Sequence, residues 1–180
     1  MNQEFETKVL DINPNEIDKK LLSLGAQKID EKLMRRWVFD WVEKDPDFIN
    51  EWIRVRDDGT KTTIAYKKRN AKVMAITKEI EIVVDNFDKT AEIFLQIPFK
   101  RKFYQENKRI TYILGDIQFM IDTWPKLKPN LEIESTSIKG VEKGLKLLNL
   151  KGKEIGDVSI NNIYKKVGID LHSISELKFD

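Results

Sequence analysis

The sequence predicts an α+β fold: an eight-stranded antiparallel sheet closed into a barrel, forming a tunnel, with amphipathic helices packed on its outside. Three observations lead there. Charged and apolar residues alternate over one segment after another, which is the period of a strand with one charged and one apolar face. About eight such segments occur, beside three stretches with helical spacing. The charged faces carry paired groups of both signs: Glu4 with Glu6, Glu79 with Glu81, Glu132 with Glu134, and Arg54 with Arg56.

Composition narrows the function classes. The 180 residues suit one domain spanning 1–180. Charged residues reach 34%, above the usual quarter, so charge must be placed on faces and not only in tails. With 32 basic and 30 acidic residues the net charge is only +2, which argues against a nucleic-acid or membrane footprint from bulk charge. There is no cysteine and one histidine, His172, so a metal here would take oxygen ligands. The start of the chain is acidic and alternating, and no apolar run reaches the length of a membrane span, so the expected location is the cytoplasm.

In order, Glu4-Phe5-Glu6-Thr7-Lys8 opens a strand with Glu4, Glu6 and Lys8 on one face and Phe5, Thr7 and Val9 on the other. Asn13 as cap, Pro14 and Glu16 start a helix with Ile17, Leu21, Leu22 and Leu24 as its apolar stripe, ended by Gly25. Residues 27–41 read as one long or interrupted strand, with Arg35, Trp37 and Phe39 sharing a face. A polar loop over 43–50 precedes residues 51–56, where Trp52, Arg54 and Arg56 share a face. Asp57-Asp58-Gly59-Thr60 is a hairpin signal, and residues 62–67 return with Thr63, Ala65 and Lys67 on one face.

A basic loop through 70–72 leads to a strand over 77–84 with Glu79 and Glu81 on one face and Ile80 and Ile82 on the other. Asp85 or Asn86 caps a helix over 87–96, which should lie on the barrel's outside. Strands over 100–114 and 117–123 meet at Gly115-Asp116, and the second puts Gln118, Met120 and Asp122 together. After a loop over 125–129 come Leu131-Glu132-Ile133-Glu134 and a helix over 138–149. The tail contains a helix near 161–167, and the packing of 171–179 is not specified by its pattern.

Taken singly, a Glu-X-Glu or Arg-X-Arg strand is most often the solvated face of a half-buried sheet. The tryptophans Trp37, Trp52 and Trp124 read as packing residues, His172 as structural or superficial, and Lys100-Arg101-Lys102 as a solvated strand start. Coincidence of all the paired charges with one geometry favours a lumen. Enclosed charges at that density need a compensating ligand. Carboxylates call for magnesium or manganese, and arginines and lysines for phosphate, so a metal-bridged polyphosphate satisfies both.

These motifs, with Lys108-Arg109 and Tyr112 and with Ile121-Asp122, make the chain resemble the CYTH family of triphosphate tunnel metalloenzymes. That family comprises class IV adenylyl cyclases, thiamine triphosphatases and inorganic triphosphatases on an eight-stranded antiparallel tunnel. The resemblance implies that Glu4, Glu6, Asp122, Glu132 and Glu134 bind Mg2+ or Mn2+, and that Lys8, Arg54 and Arg56 act at the reacting phosphates. It implies that Lys67, Lys108 and Arg109, with Glu79 and Glu81, line the substrate. The spacing looks most like the small cyclase branch, converting ATP to cyclic AMP and pyrophosphate. Hydrolysis of tripolyphosphate, thiamine triphosphate or a nucleoside triphosphate is the alternative, and a non-catalytic polyphosphate or nucleotide binding module is a third. Animal-type thiamine triphosphatases carry a tyrosine pair before an aspartate in the second strand. Here the sequence reads Val38-Phe39-Asp40, which weighs against that branch and against a lysine–tyrosine dyad with Lys8. The expected partner is a small-molecule triphosphate such as ATP or tripolyphosphate, with no nucleic acid or membrane, and a homodimer is left open.

Overall fold

Each alternating segment is a strand: β1 (Asn2–Val9), β2 (Gln27–Asp40), β3 (Ile49–Asp57), β4 (Thr62–Asn70), β5 (Thr77–Val84), β6 (Arg101–Leu114), β7 (Ile117–Thr123) and β8 (Asn130–Ser135), with a two-residue β9 (Glu176–Leu177). The computed structural model describes residues 2–40, 49–70, 77–99, 101–156 and 158–180, and not the side chains of 2–4, 49–50, 69–70, 77 and 101. The loop expected over 43–50 therefore lies mostly outside the described residues, as does that through 70–72, and β3 begins two residues before Glu51.

The pairing order is β2-β3-β4-β5-β1-β8-β7-β6, and β6 pairs in turn with β2, so the curled sheet returns to its first strand. These pairings are all antiparallel, and β9 alone joins in parallel, on β6 at Tyr104 and Gln105. The β1–β5 seam is short, matching Asn2–Glu4 to Thr77–Glu79. Farther along β1 the C-terminal chain supplies partners for the strand's backbone: Lys8 N donates to Gly156 O at 3.2 Å and Ile155 N to Lys8 O at 2.9 Å.

The helices cover the outer face, because that face carries the apolar half of each alternation. In α1 (Pro14–Ser23) the Asn13 side chain accepts from Asn15 N, and Ile17 and Leu21 pack on Val9, Tyr112 and Leu131. Of the two candidate caps for α2 (Phe87–Gln96), Asn86 takes the role, accepting from Lys89 N. This helix lays Phe87, Phe94 and Leu95 over Phe39 and Val55 of β2 and β3, beside Trp37, so Trp37 is a packing residue as expected.

In α3 (Ile138–Leu147), Gly140 and Gly144 allow close approach to β7 and β8, since a Cβ on Gly144 would sit 2.8 Å from Ile133 Cγ2. The tail helix is α4 (Ile160–Lys166), and a 3-10 turn, Leu171–Ser173, follows it. Their Tyr164 and Leu171 form a cluster with Trp124 and Leu177, and Tyr164 Oη donates to Pro125 O at 2.6 Å. No helix among the described residues is long and apolar enough to cross a membrane.

The β3–β4 hairpin is tied by its aspartates. Asp57 Oδ1 accepts from Gly59 N, where φ is +80°, and Asp58 Oδ1 accepts from Thr60 N, Thr60 Oγ1 and Lys61 N. Burial raises the Asp58 carboxyl, but these hydrogen bonds and that from Lys32 outweigh it and hold the group well below the usual carboxylate range. A carboxylate depressed on folding contributes stability above its unfolded value and loses it as pH falls toward the folded one. We therefore predict that Asp58→Ala costs about 1–3 kcal/mol at neutral pH. Urea unfolding of both proteins should show that difference shrinking below about pH 4, and a difference independent of pH would refute the assignment.

Candidate functional site

The alternation that sends apolar residues to the helices sends the charged ones inward, around a cavity of about 610 Å³. Register then decides who meets whom. On β1 and β8, Glu6 stands opposite Glu134 and Lys8 opposite Glu132. Lys8 Nζ lies 2.8 Å from Glu6 Oε1 and 2.9 Å from Glu132 Oε2, and one carboxylate oxygen from each of Glu6, Glu132 and Glu134 falls within 4.8 Å of the others. Three converging carboxylate oxygens are the donors that suit a hard divalent cation of the magnesium or manganese class. Burial raises the Glu132 carboxyl, but Lys8 and Arg109 outweigh it and keep it ionised well below its ordinary range.

Across the cavity, β3, β4 and β5 present a second constellation. Arg54 Nη2 lies 3.2 Å from Glu79 Oε1 and 3.1 Å from Glu81 Oε2, Arg56 Nη2 is 3.4 Å from Glu81, and Lys67 Nζ is 2.7 Å from Glu79 Oε2. Burial, and then Arg54 beside it, push Arg56 down to about 10, so it stays cationic at neutral pH. Cations so closely packed are arranged to neutralise a multiply charged anion.

Two of the expected residues lie apart from these groups. Asp122, grouped by motif with the metal ligands, lies outside the converging trio: Arg109 holds it at 2.7 and 2.5 Å and Asn107 Nδ2 donates to it at 3.0 Å. Burial lowers Arg109, but Asp122 and Glu132 outweigh that and raise it. Lys108 does not reach the cavity. As the sequence neighbour of Arg109 it must point to the opposite face of β6, where it is exposed with Nζ 4.9 Å over the Phe179 ring. Asn107 is fully buried, on the same face of β6 as Arg109. Glu4 sits on β1 opposite Thr77, and its side chain lies outside the described residues.

Several cavity residues escaped the sequence reading. Arg36 shares an inward face with Val38 and Asp40, opposite the aromatic face of β2, so the period-two pattern contained it although no motif marked it. Asn161, Lys165 and His172 of the tail also line the cavity, and His172 stacks on Phe103 with centroids 5.7 Å apart. Trp124 lines it as well, and Trp52 lines it on the face it was expected to share with Arg54 and Arg56.

A family model described as the CYTH domain matches residues 2–159. The chain belongs to the CYTH family. CYTH proteins are triphosphate-processing tunnel enzymes, and the curled sheet and charged cavity accord with that. Among solved structures, the PH1012 protein from Pyrococcus horikoshii OT3 is similar at 24% identity and a TM-score of 0.67, over 83% of this chain and 92% of that one. A candidate adenylate cyclase from Vibrio parahaemolyticus aligns with a TM-score of 0.71 at 11% identity, over 91% and 98% of the two chains. A candidate adenylyl cyclase from Hippeastrum, described as having a dominant triphosphatase activity, aligns at 0.56 and 16%, over 93% and 96%. No curated protein matches the chain. The CYTH match stops at Ser159, one residue before α4, so the part of the cavity wall made by Asn161, Lys165 and His172 lies beyond it.

Proposed function

We propose that this CYTH protein binds a triphosphate together with a divalent cation in the cavity and breaks one of its phosphoanhydride bonds. One observation carries this reading: the convergence of Glu6, Glu132 and Glu134 within 4.8 Å, in a cavity whose walls also carry arginine and lysine. Glu6, Glu132 and Glu134 would hold the cation, which would supply positive charge against the negative charge that develops on the triphosphate. Arg54, Arg56 and Lys67 would hold the phosphoryl groups, exchanging part of their bonding to Glu79 and Glu81 for phosphate oxygens. Lys8 orients the carboxylates through its bonds to Glu6 and Glu132, and adds positive charge where the transition state gains negative charge.

The first form of the reaction is that of an adenylyl cyclase: the ribose 3′-oxygen attacks the α-phosphorus, the bond to the β-phosphate oxygen breaks, and pyrophosphate leaves. The second is hydrolysis, in which a water oxygen attacks the terminal phosphorus, the bond from that phosphorus to the bridging oxygen breaks, the diphosphate leaves, and the attacked group, having lost the water's proton to solvent, is released as orthophosphate. The triphosphatase activity described for the Hippeastrum relative favours this second form. A phosphorus NMR time course on ATP and tripolyphosphate, each with magnesium and with manganese, separates them. Cyclisation is expected to yield cyclic AMP and pyrophosphate from ATP, and hydrolysis to yield orthophosphate. Absence of any product, with tripolyphosphate still raising the melting temperature, would leave only a binding module. Absence of both would overturn the reading.

A further inference from the structure

The cations of the cavity are not equivalent. Lys8, Arg54, Arg56, Lys67 and Arg109 each have a carboxylate within 3.4 Å. Arg36 has none within ion-pair distance among the described residues. Its Nη2 donates to the neutral Asn107 Oδ1, its guanidinium lies 4.8 Å over the Trp124 ring, and its Nε is shut off from solvent without a hydrogen-bond partner. Asn107 stands between Arg36 and Asp122, a carboxylate already engaged by Arg109. Burial, followed by repulsion from Arg54, Arg56 and Arg109, depresses Arg36 well below its ordinary value.

A half-buried cation with no counter-ion beside it, and with one guanidinium nitrogen shut off from solvent, is a cost to the fold unless something else supplies the negative charge. Asn107 and Trp124 hold the guanidinium in place without neutralising it. Trp124 belongs to the cluster with Tyr164, Leu171 and Leu177, so residues beyond the CYTH match help set the position of Arg36. We propose that Arg36 is a phosphoryl-binding residue, whose missing counter-charge is a phosphate group of the bound triphosphate. This rests on the triphosphate reading above and adds to it a residue that no motif marked. It also ranks the cations, because Arg36 gains an anion without giving up a carboxylate, whereas the others exchange one partner for another.

The test measures two quantities on the full chain, the melting temperature without ligand and the affinity for sodium tripolyphosphate by titration calorimetry in the absence of metal. Arg36→Gln, and Arg36→Met as a second uncharged variant, are expected to melt no lower than the wild type, because a repelled charge has been removed. Tripolyphosphate affinity should weaken by about 10- to 100-fold, the loss of a charged hydrogen bond. A residue that merely braced the fold would behave in the opposite way. A lower ligand-free melting temperature with unchanged affinity, or failure of both variants to fold, would overturn the proposal. So would wild-type affinity in a well-folded variant. Should the wild-type protein itself not bind tripolyphosphate, the triphosphate reading fails first, and that outcome is distinct because it needs no variant.

Discussion

Glu134→Gln is expected to slow turnover of the triphosphate substrate by about 100-fold or more, the range for loss of a charged partner in a metal or transition-state site. The substitution keeps the size of the side chain and an oxygen donor and removes the negative charge. Because Glu6, Glu132 and Glu134 bring their oxygens within 4.8 Å of one another, their mutual repulsion is relieved by the same change. The variant should therefore melt no lower than the wild type without metal, yet gain less from added manganese. Melting curves with and without manganese, together with steady-state rates, read both effects. Full metal-dependent turnover in Glu134→Gln, and again in Glu6→Gln, would remove the carboxylate trio from the mechanism.

The largest effect on stability is expected at Arg109. Asp122 is 2% exposed and depends on Arg109 for both of its charged contacts, at 2.7 and 2.5 Å. Arg109 also reaches Glu132 at 3.2 Å. Arg109→Leu leaves two buried carboxylates short of their cation, a loss of about 3–5 kcal/mol. Adding Asp122→Leu removes one of the stranded charges, so the double variant should be more stable than Arg109→Leu alone. Urea denaturation of the wild type and the two variants measures this. A cost under about 1 kcal/mol for Arg109→Leu would place the pair in the class of solvent-screened ion pairs.

Much of the site was legible in the chain because a strand's side chains alternate without exception unless a bulge intervenes. Once Glu6, Arg54, Glu81 and Glu132 were read on strands, their shared direction followed, and the caps at Asn13 and Asn86 marked where helices interrupt the sheet. The misreading of Lys108 has the same physics. Adjacent basic residues look like one motif, but on a strand only one of them can face the cavity, and the burial of Tyr112 on the outer face assigns that role to Arg109. Arg36 was accessible by the same argument but sat in a mixed strand whose aromatic face drew the reading.

The sequence by itself determined which residues share a face, where the helices begin, and the chemistry of the enclosed groups, since all of these depend on neighbours only a few positions apart. The tertiary structure decided the pairing of charges and the completion of the wall. Asp122 meets Arg109 because β7 lies between β6 and β8 in a register that sets Asp122 directly opposite Arg109. The tail reaches the cavity because Tyr164 bonds to Pro125 and packs on Trp124 from far along the chain. Such contacts leave no local period to read, and they are what hold Arg36 at the lumen without a counter-charge.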